Sequence, residues 1–196
     1  GKLVRFYPDP PFPEEKTEGF RYFFQNPNYS YGDSIILYSM IRYLKPKRII
    51  EIGSGYSSAV LLDTNERFFK NNINITLIEP YPQLLYSLIK EGDKPGITVL
   101  EQKLEDVDKK VFQSLSAGDI LFIDSTHVSK FGSDVNRLLF SVLPAVPKGV
   151  YIHIHDIFYP FEYPKDWISQ GRFWNESYLV HAFLQFNPDF EIAYFN

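Results

Sequence analysis

The chain has 196 residues, of which 44% are hydrophobic and 22% charged, a length and balance typical of one globular domain. Its net charge of −4 lacks the basic excess that neutralises nucleic-acid phosphates, so we expect a small-molecule partner and no nucleic acid. No run approaches the ~20 apolar residues of a membrane span, and no apolar signal core occurs at the start, so we expect a cytoplasmic protein without membrane contact. The absence of cysteine excludes disulfides and thiolate chemistry, while a homo-oligomer stays open.

The first thirty residues contain five prolines, which prevents a long helix there. We predict an extended N-terminal arm over residues 1–30 and a single domain over residues 31–196. Apolar residues at the spacing of one helical face then predict a helix that Asp33 caps and Pro46 ends.

From Arg48 onward, short apolar segments rich in Ile, Leu and Val alternate with amphipathic segments. Six strands are predicted, over residues 48–52, 74–79, 97–101, 119–124, 149–155 and 190–195. Helices are predicted at 82–91, 106–115, 133–143 and 175–186, and a loop rich in proline and aromatic residues at 158–167. Such alternation predicts an α/β fold, doubly wound, with a mostly parallel sheet and helices on both faces.

The segment RIIEIGSGYSS, residues 48–58, is typical of a strand that ends in an acid and passes through a glycine turn into a helix. Gly53 and Gly55 allow a sharp bend and let a ligand approach bare backbone. Glu79 closes the next apolar run, where a βαβ unit places a carboxylate against ribose hydroxyls. Ser58 stands where the dinucleotide fingerprint has its third glycine, which argues against a pyrophosphate.

Polar residues close two later strands. Asp124 ends the fourth strand and His127 follows it, while His155 and Asp156 end the fifth. Because the carboxyl ends of parallel strands meet at one edge of a sheet, we expect these four side chains to face one crevice.

Five segments together carry a resemblance to a known family: EIGSGYSS, the acid in LIEPYP, DILFIDSTH, IHIHDIF and WNESYLVHAFL. They resemble class I S-adenosylmethionine-dependent methyltransferases, and among these the small-molecule O-methyltransferases of catechol, caffeoyl-CoA and antibiotic-tailoring types. The resemblance implies a Rossmann-like fold, S-adenosyl-L-methionine as cofactor, and methyl transfer to a hydroxyl of a sugar or a phenolic or polyketide natural product. The family's seventh, antiparallel strand has no counterpart before Asn196, for which we take a shortened chain as the explanation.

The resemblance also implies where the cofactor binds. Its methionine end is expected above the acid and glycine turn after the first strand, its ribose at the acid after the second, and its adenine at the loop after the third. The residues expected to bind it are Glu51, Gly53, Ser54, Gly55, Tyr56, Ser57, Ser58, Glu79, Leu104, Glu105 and Asp124.

In metal-dependent relatives, oxygen ligands at the ends of the fourth and fifth strands hold a divalent ion, which implies Asp124, His155 and Asp156 as metal ligands here. Because imidazole suits transition metals better than Mg²⁺, either the metal differs or it is absent. The family's catalytic lysine falls on His127, which we expect to act as general base with Asp156 beside it, since histidine titrates near neutral pH.

Two other functions fit parts of this pattern. An NAD-dependent oxidoreductase shares the glycine turn and the acid, although the chain lacks a third glycine and a Tyr/Lys pair at a catalytic helix. A non-catalytic cofactor-binding module of the same fold is the second alternative. A metallohydrolase, suggested by His153, His155 and Asp156, is a more distant one.

Overall fold

The computed structural model describes residues 2–195. In that part of the chain, five strands form a sheet in the order β3-β2-β1-β4-β5, and every pairing is parallel. The strands are β1 (Arg48–Ile52), β2 (Asn74–Ile78), β3 (Ile97–Leu100), β4 (Ile120–Ile123) and β5 (Tyr151–Ile154). The predicted parallel α/β fold is therefore confirmed, with each observed strand inside its predicted range.

The prediction of a sixth strand at residues 190–195 is wrong, because this segment has no regular structure. Phe190 packs against Phe183, with ring centroids 4.9 Å apart, whereas Ile192 and Tyr194 are about half exposed. An apolar pattern stabilises a strand only when a neighbouring strand pairs with it. In the described chain β5 remains the last strand of the sheet.

Helices connect the strands on both faces of the sheet. They are α1 (Tyr31–Leu44), α2 (Tyr56–Phe69), α3 (Gln83–Leu88), α4 (Lys110–Gln113), α5 (Asp134–Arg137), α6 (Lys165–Ser169) and α7 (Glu176–Leu184). Single turns of tighter helix occur at Val4–Phe6, Leu104–Asp106 and Leu143–Ala145, a longer one at Glu91–Gly96, and a wider turn at Leu138–Val142.

Three details differ from the sequence prediction. Ser30, not Asp33, precedes the first residue of α1, so Asp33 lies within the first turn. The helix predicted at 133–143 changes from α-helix to the wider turn after Arg137. The short helix α6 forms where prolines and aromatic residues favoured a loop.

Alternate side chains of each strand enter different halves of the core. Ile49, Leu77 and Phe122 pack with α1 and α2 on one face of the sheet. Ile50 and Leu121 pack on the other face with residues from α4, α5 and α7. With both faces covered, the sheet is a rigid support for groups at the ends of its strands.

The segment before α1 packs onto the first of these faces. Tyr22 is fully buried, and its ring meets that of Phe12 edge to face at 4.9 Å. Arg21 is buried as well and forms a 2.7 Å ion pair with Asp63 of α2. These contacts bring residues 28 and 29 to the carboxyl edge of the sheet.

The register of the strands aligns the residues that follow them. Ile52 of β1 pairs with Ile78 of β2 and with Ile123 of β4, and Ile123 pairs with Ile154 of β5. The next residues of these strands are consequently neighbours along one edge, in the order Glu79, Gly53, Asp124 and His155. Among residues 2–195 we find no helix with the length and apolar character needed to cross a bilayer.

Candidate active site

The turn after β1 requires glycine at its first position. Gly53 has a φ of +80°, which side-chain-bearing residues rarely adopt, and a Cβ there would overlap the backbone carbonyl of Asp124. A Cβ on Gly55 would lie 3.2 Å from Cδ2 of Leu84. The strand end and its turn thus fit closely against β4 and α3, and backbone atoms form the floor of the site.

Glu79 is fixed by the backbone on either side of it. Its Oε2 accepts a hydrogen bond of 3.1 Å from the N–H of Ser54, and its Oε1 accepts one of 2.7 Å from the N–H of Tyr81. The carboxylate is half-buried at the rim of the turn. It is therefore held in one place, and each oxygen keeps the capacity to accept a further hydrogen bond.

Glu51 lies below the same turn. Its side chain is fully buried, and Ser58 Oγ donates a hydrogen bond to its Oε2. Burial raises the pKa of Glu51 to about 8. Within residues 2–195, neither its Oε1 nor the buried Oγ of Ser54 has a hydrogen-bond partner. Two polar atoms beneath the turn are therefore available to a ligand.

A cavity of about 230 Å³ lies over this turn, and the buried Glu51 and Ser58 do not line it. It is lined by seven residues expected to bind the cofactor, which are Gly53, Ser54, Gly55, Tyr56, Ser57, Glu79 and Asp124. Four more lining residues were not predicted, namely Asn28, Tyr29, Leu84 and Ser125. Asn28 and Tyr29 gave no local signal, because only the packing of the N-terminal segment brings them here.

Two residues expected to contact adenine lie apart from this cavity. Leu104 is buried in the core beside Val107 and Phe112, and Glu105 is exposed on the same helical turn. A second cavity, of about 310 Å³, borders the sheet edge at Ile97 and Val99, and no acid or histidine lines it. The convergence of acids and histidine therefore selects the smaller cavity as the candidate site.

His127 lies next to the cavity among three acids. Its Nε2 is 3.3 Å from Asp124 Oδ1 and 3.9 Å from Asp156 Oδ2, and its Nδ1 is 2.9 Å from Glu176 Oε2. Burial alone lowers the pKa of His127, but hydrogen bonds with Asp124 and Glu176 outweigh it and raise that pKa to about 9. The imidazole is accordingly protonated on both nitrogens, as the imidazolium, at pH 7.

Comparison with known proteins shows the family. A family model described as a methyltransferase domain matches residues 50–157, more than half of the chain and all of this strand edge. The chain belongs to this family. The resemblance predicted from the five sequence segments is thereby confirmed.

This methyltransferase domain is 32% identical over 117 residues to an uncharacterized protein of Archaeoglobus fulgidus. The match covers 59% of this chain and 51% of that protein, so the chain spans about half the length of this curated relative. The fold is similar to that of the SAH-bound methyltransferase PaMTH1 of Podospora anserina, with a TM-score of 0.52 and 19% identity over 79% of this chain and 69% of that one.

The structure described as cmcI-N160 SAH is also similar, with a TM-score of 0.51 and 14% identity over 83% of this chain and 79% of that chain. At 19% and 14% sequence identity, these two similarities establish the fold alone, which is the Rossmann-like fold of methyltransferases.

The metal site expected at Asp124, His155 and Asp156 is not confirmed, although His155 Nε2 lies 3.6 Å from Asp156 Oδ1. Among residues 2–195, no three His, Cys, Asp or Glu side chains are placed to hold an ion together. The imidazole of His127 contacts both Asp124 and Asp156, and His155 lies against Tyr29 with ring centroids 5.1 Å apart. The space between the two aspartates is thus taken by a side chain of the protein.

The third acid around His127 was missed by sequence analysis, which assigned no chemistry to residues 174–176. Glu176 begins α7, 49 positions after His127, and is 2% exposed. Trp174 stacks on the imidazole, with ring centroids 4.0 Å apart. An acid at the start of a predicted helix was the available signal, but nothing in the sequence indicated that it is buried or which side chain it faces.

Proposed function

We propose that this methyltransferase domain binds S-adenosyl-L-methionine and transfers its methyl group to a hydroxyl of a small molecule. The observation that carries the proposal is one cavity, lined by the glycine turn, Glu79 and Asp124, with His127 next to it. Membership of the methyltransferase family and the SAH-bound state of two proteins of similar fold support this cofactor.

The residues of the cavity suit such a cofactor. The carboxylate of Glu79 is placed to accept hydrogen bonds from ribose hydroxyls, and the backbone of the glycine turn can contact the carboxylate of the methionine end. The unpartnered oxygen of Glu51 suits the ammonium group of that end. Tyr56, Ser57 and Ser58, at the start of α2, are proposed to contact the methionine end as well, and Leu104 and Glu105 remain the proposed adenine contacts.

The chemistry divides between cofactor and protein. S-adenosylmethionine supplies an electrophilic methyl carbon, so the protein must orient the acceptor hydroxyl and take its proton. We assign the proton to Nε2 of neutral His127, with Asp124 and Asp156 stabilising the imidazolium that forms. A pKa of about 9 leaves about 1% of His127 neutral at pH 7, so the rate should rise with pH toward 9.

The acceptor pocket is proposed on the side of His127. Trp174, which stacks on His127, contacts Trp167 at 4.9 Å and Tyr163 at 5.9 Å between ring centroids. Aromatic side chains of this kind provide flat apolar walls for a sugar or a phenolic or polyketide ring.

We further propose that residues 1–30 form an arm over the domain of residues 31–196, and that the reaction is cytoplasmic.

The test is methyl transfer to a panel of phenols and sugars, followed by mass-spectrometric detection of S-adenosylhomocysteine. His127→Ala should lower its formation at least about 100-fold, the contribution of a positioned base. His181→Ala on α7, an exposed histidine, is the matched control and should leave it unchanged. Binding of the cofactor without any transfer would instead favour the non-catalytic module, and unchanged turnover in His127→Ala would remove the proposed base.

A further inference from the structure

Glu176 holds the nitrogen of His127 that faces away from the two aspartates. Its Oε2 lies 2.9 Å from His127 Nδ1 and also accepts a 2.8 Å hydrogen bond from Ser125 Oγ. The side chain of Glu176 is 3% exposed, and that of His127 is 6% exposed. A buried carboxylate can only accept, so His127 Nδ1 must carry a proton and donate it.

The backbone around Glu176 is fixed to the loop that carries His127. The carbonyl of His127 accepts hydrogen bonds from the N–H groups of Asn175 at 3.0 Å and Glu176 at 3.2 Å. Asn175 Oδ1 also accepts a 2.6 Å hydrogen bond from the N–H of Ser129. None of these bonds involves the carboxylate of Glu176, so the segment stays in place when that group is altered.

His127 itself needs such support. Its φ of +58° is in the left-handed region, which is uncommon for residues other than glycine. The Ser125 hydroxyl that donates to Glu176 also accepts a 3.0 Å hydrogen bond from the N–H of His127. One carboxylate thus orients the ring directly and the loop backbone through Ser125.

We infer that Glu176 is a positioning residue, which keeps a proton on Nδ1 of His127 in both the charged and the neutral ring and leaves Nε2 as the nitrogen directed at Asp124, Asp156 and the acceptor. The inference rests on the proposed function for its kinetic part and on the structure alone for its orientation of the ring. It gives a role to the segment WNE, residues 174–176, at the start of α7: Trp174 covers one face of the imidazole and Glu176 holds its edge.

Two conservative variants test separately the length of the side chain at position 176 and its negative charge. Glu176→Gln keeps an acceptor oxygen at the same distance and removes the charge, whereas Glu176→Asp keeps the charge and withdraws it by one methylene. Glu162→Gln is the matched control, since Glu162 contacts Tyr178 of the same helix on the protein surface.

The first measurement is the slowly exchanging Nδ1–H proton of His127 in NMR spectra at fixed pH. We expect this signal in the wild type, Glu176→Gln and Glu162→Gln, and its loss in Glu176→Asp. Persistence of the signal in Glu176→Asp, or its absence from the wild type, would overturn the inference. This readout needs neither cofactor nor turnover, so it decides the orientation of His127 even if the chain proves not to transfer methyl groups.

The second measurement is steady-state kinetics with an acceptor identified from the panel. Glu176→Asp should lower kcat about 10- to 100-fold, because a displaced base loses part of the roughly 10²- to 10⁴-fold contribution of a positioned one, with acceptor KM and S-adenosylhomocysteine affinity within about threefold. Glu176→Gln should recover most of kcat. The inference requires the side chain of residue 176 to be long enough to accept the hydrogen bond from His127 Nδ1. A Glu176→Asp enzyme as fast as the wild type, or a Glu176→Gln enzyme slower than Glu176→Asp, would contradict it. Failure of the wild type to bind S-adenosylhomocysteine would instead reject the proposed function.

Discussion

The backbone N–H of Ser54 donates a 3.1 Å hydrogen bond to Oε2 of Glu79, which joins the glycine turn after β1 to the acid after β2. The proposed ribose ligand therefore also holds the loop that would contact the methionine end of the cofactor. Both ends of the cavity depend on this carboxylate.

Glu79→Gln should weaken binding of S-adenosylhomocysteine about 10- to 100-fold. The variant loses a charged acceptor and leaves one backbone N–H without its partner, and hydrogen bonds to charged groups contribute about 1.5–3 kcal/mol. Ligand-induced shifts in the melting temperature over a concentration series measure the loss. Glu101→Gln, at the exposed acid after β3, is the control, and equal affinities of the two variants would argue against the ribose role.

Gly53→Ala should lower the free energy of unfolding by about 2 to 5 kcal/mol. The left-handed conformation costs a side-chain-bearing residue about 1–2 kcal/mol, and overlap with the Asp124 carbonyl adds about 1–3 kcal/mol. Urea unfolding provides the measurement. Gly32→Ala is the control, because nothing lies within 4 Å of its Cβ and its helical position favours alanine. A Gly53→Ala protein as stable as Gly32→Ala would contradict the close approach of β1 and β4.

His127, which lies among Asp124, Asp156 and Glu176, should titrate with a midpoint near pH 9. Its folded-state pKa of about 9 lies above the ordinary value of 6.5, so the charged form stabilises the fold. That contribution is complete below pH 6.5 and is lost as the pH rises to 9 and beyond. NMR titration of the His127 ring measures the midpoint, which should move down in Glu176→Gln. A midpoint at or below 6.5 in the wild type would exclude the ion pairs with Asp124 and Glu176.

Asp63→Asn should lower the free energy of unfolding by about 2 to 3 kcal/mol, the range for a lost hydrogen bond to a charged group. Asp63 is 1% exposed and accepts hydrogen bonds from the guanidinium of Arg21 and from the backbone N–H groups of Arg21 and Tyr22, and an amide in its place leaves at least one of these buried donors unpaired, while Glu66 and Asp93 still pair with Arg21. Chemical denaturation tests this expectation. Lys90→Gln breaks a 2.9 Å pair with Glu66, whose two side chains are 35% and 37% exposed, and should cost about 1 kcal/mol or less. Equal effects would mean that the N-terminal segment is not anchored through Arg21.

Most of the sheet could be predicted from the sequence, because its strands are short apolar runs with both faces buried. The acids that follow them were predictable as well: in a parallel sheet, residues directly after neighbouring strands must meet. Glu79 and Asp124 illustrate this, and both line the cavity. The segment at 190–195 has the same apolar character but no strand to pair with, and pairing is a property of the folded chain.

The acid beside His127 could not be predicted for a similar reason. Glu176 reaches His127 only because α7 packs where it does, and its sequence neighbours resemble any helix start. Asn28 and Tyr29 likewise reach the cavity through the packing of the N-terminal segment. Contacts between distant segments depend on tertiary packing, which local sequence patterns do not encode.

We propose that the cavity lined by Glu79 and Asp124 binds S-adenosylmethionine and its product S-adenosylhomocysteine. Isothermal titration of the wild-type protein with S-adenosylhomocysteine, and separately with NAD, tests it most directly. We expect saturable binding of S-adenosylhomocysteine at one site per chain and no heat from NAD. Absence of binding at millimolar S-adenosylhomocysteine, or saturable binding of NAD instead, would contradict it.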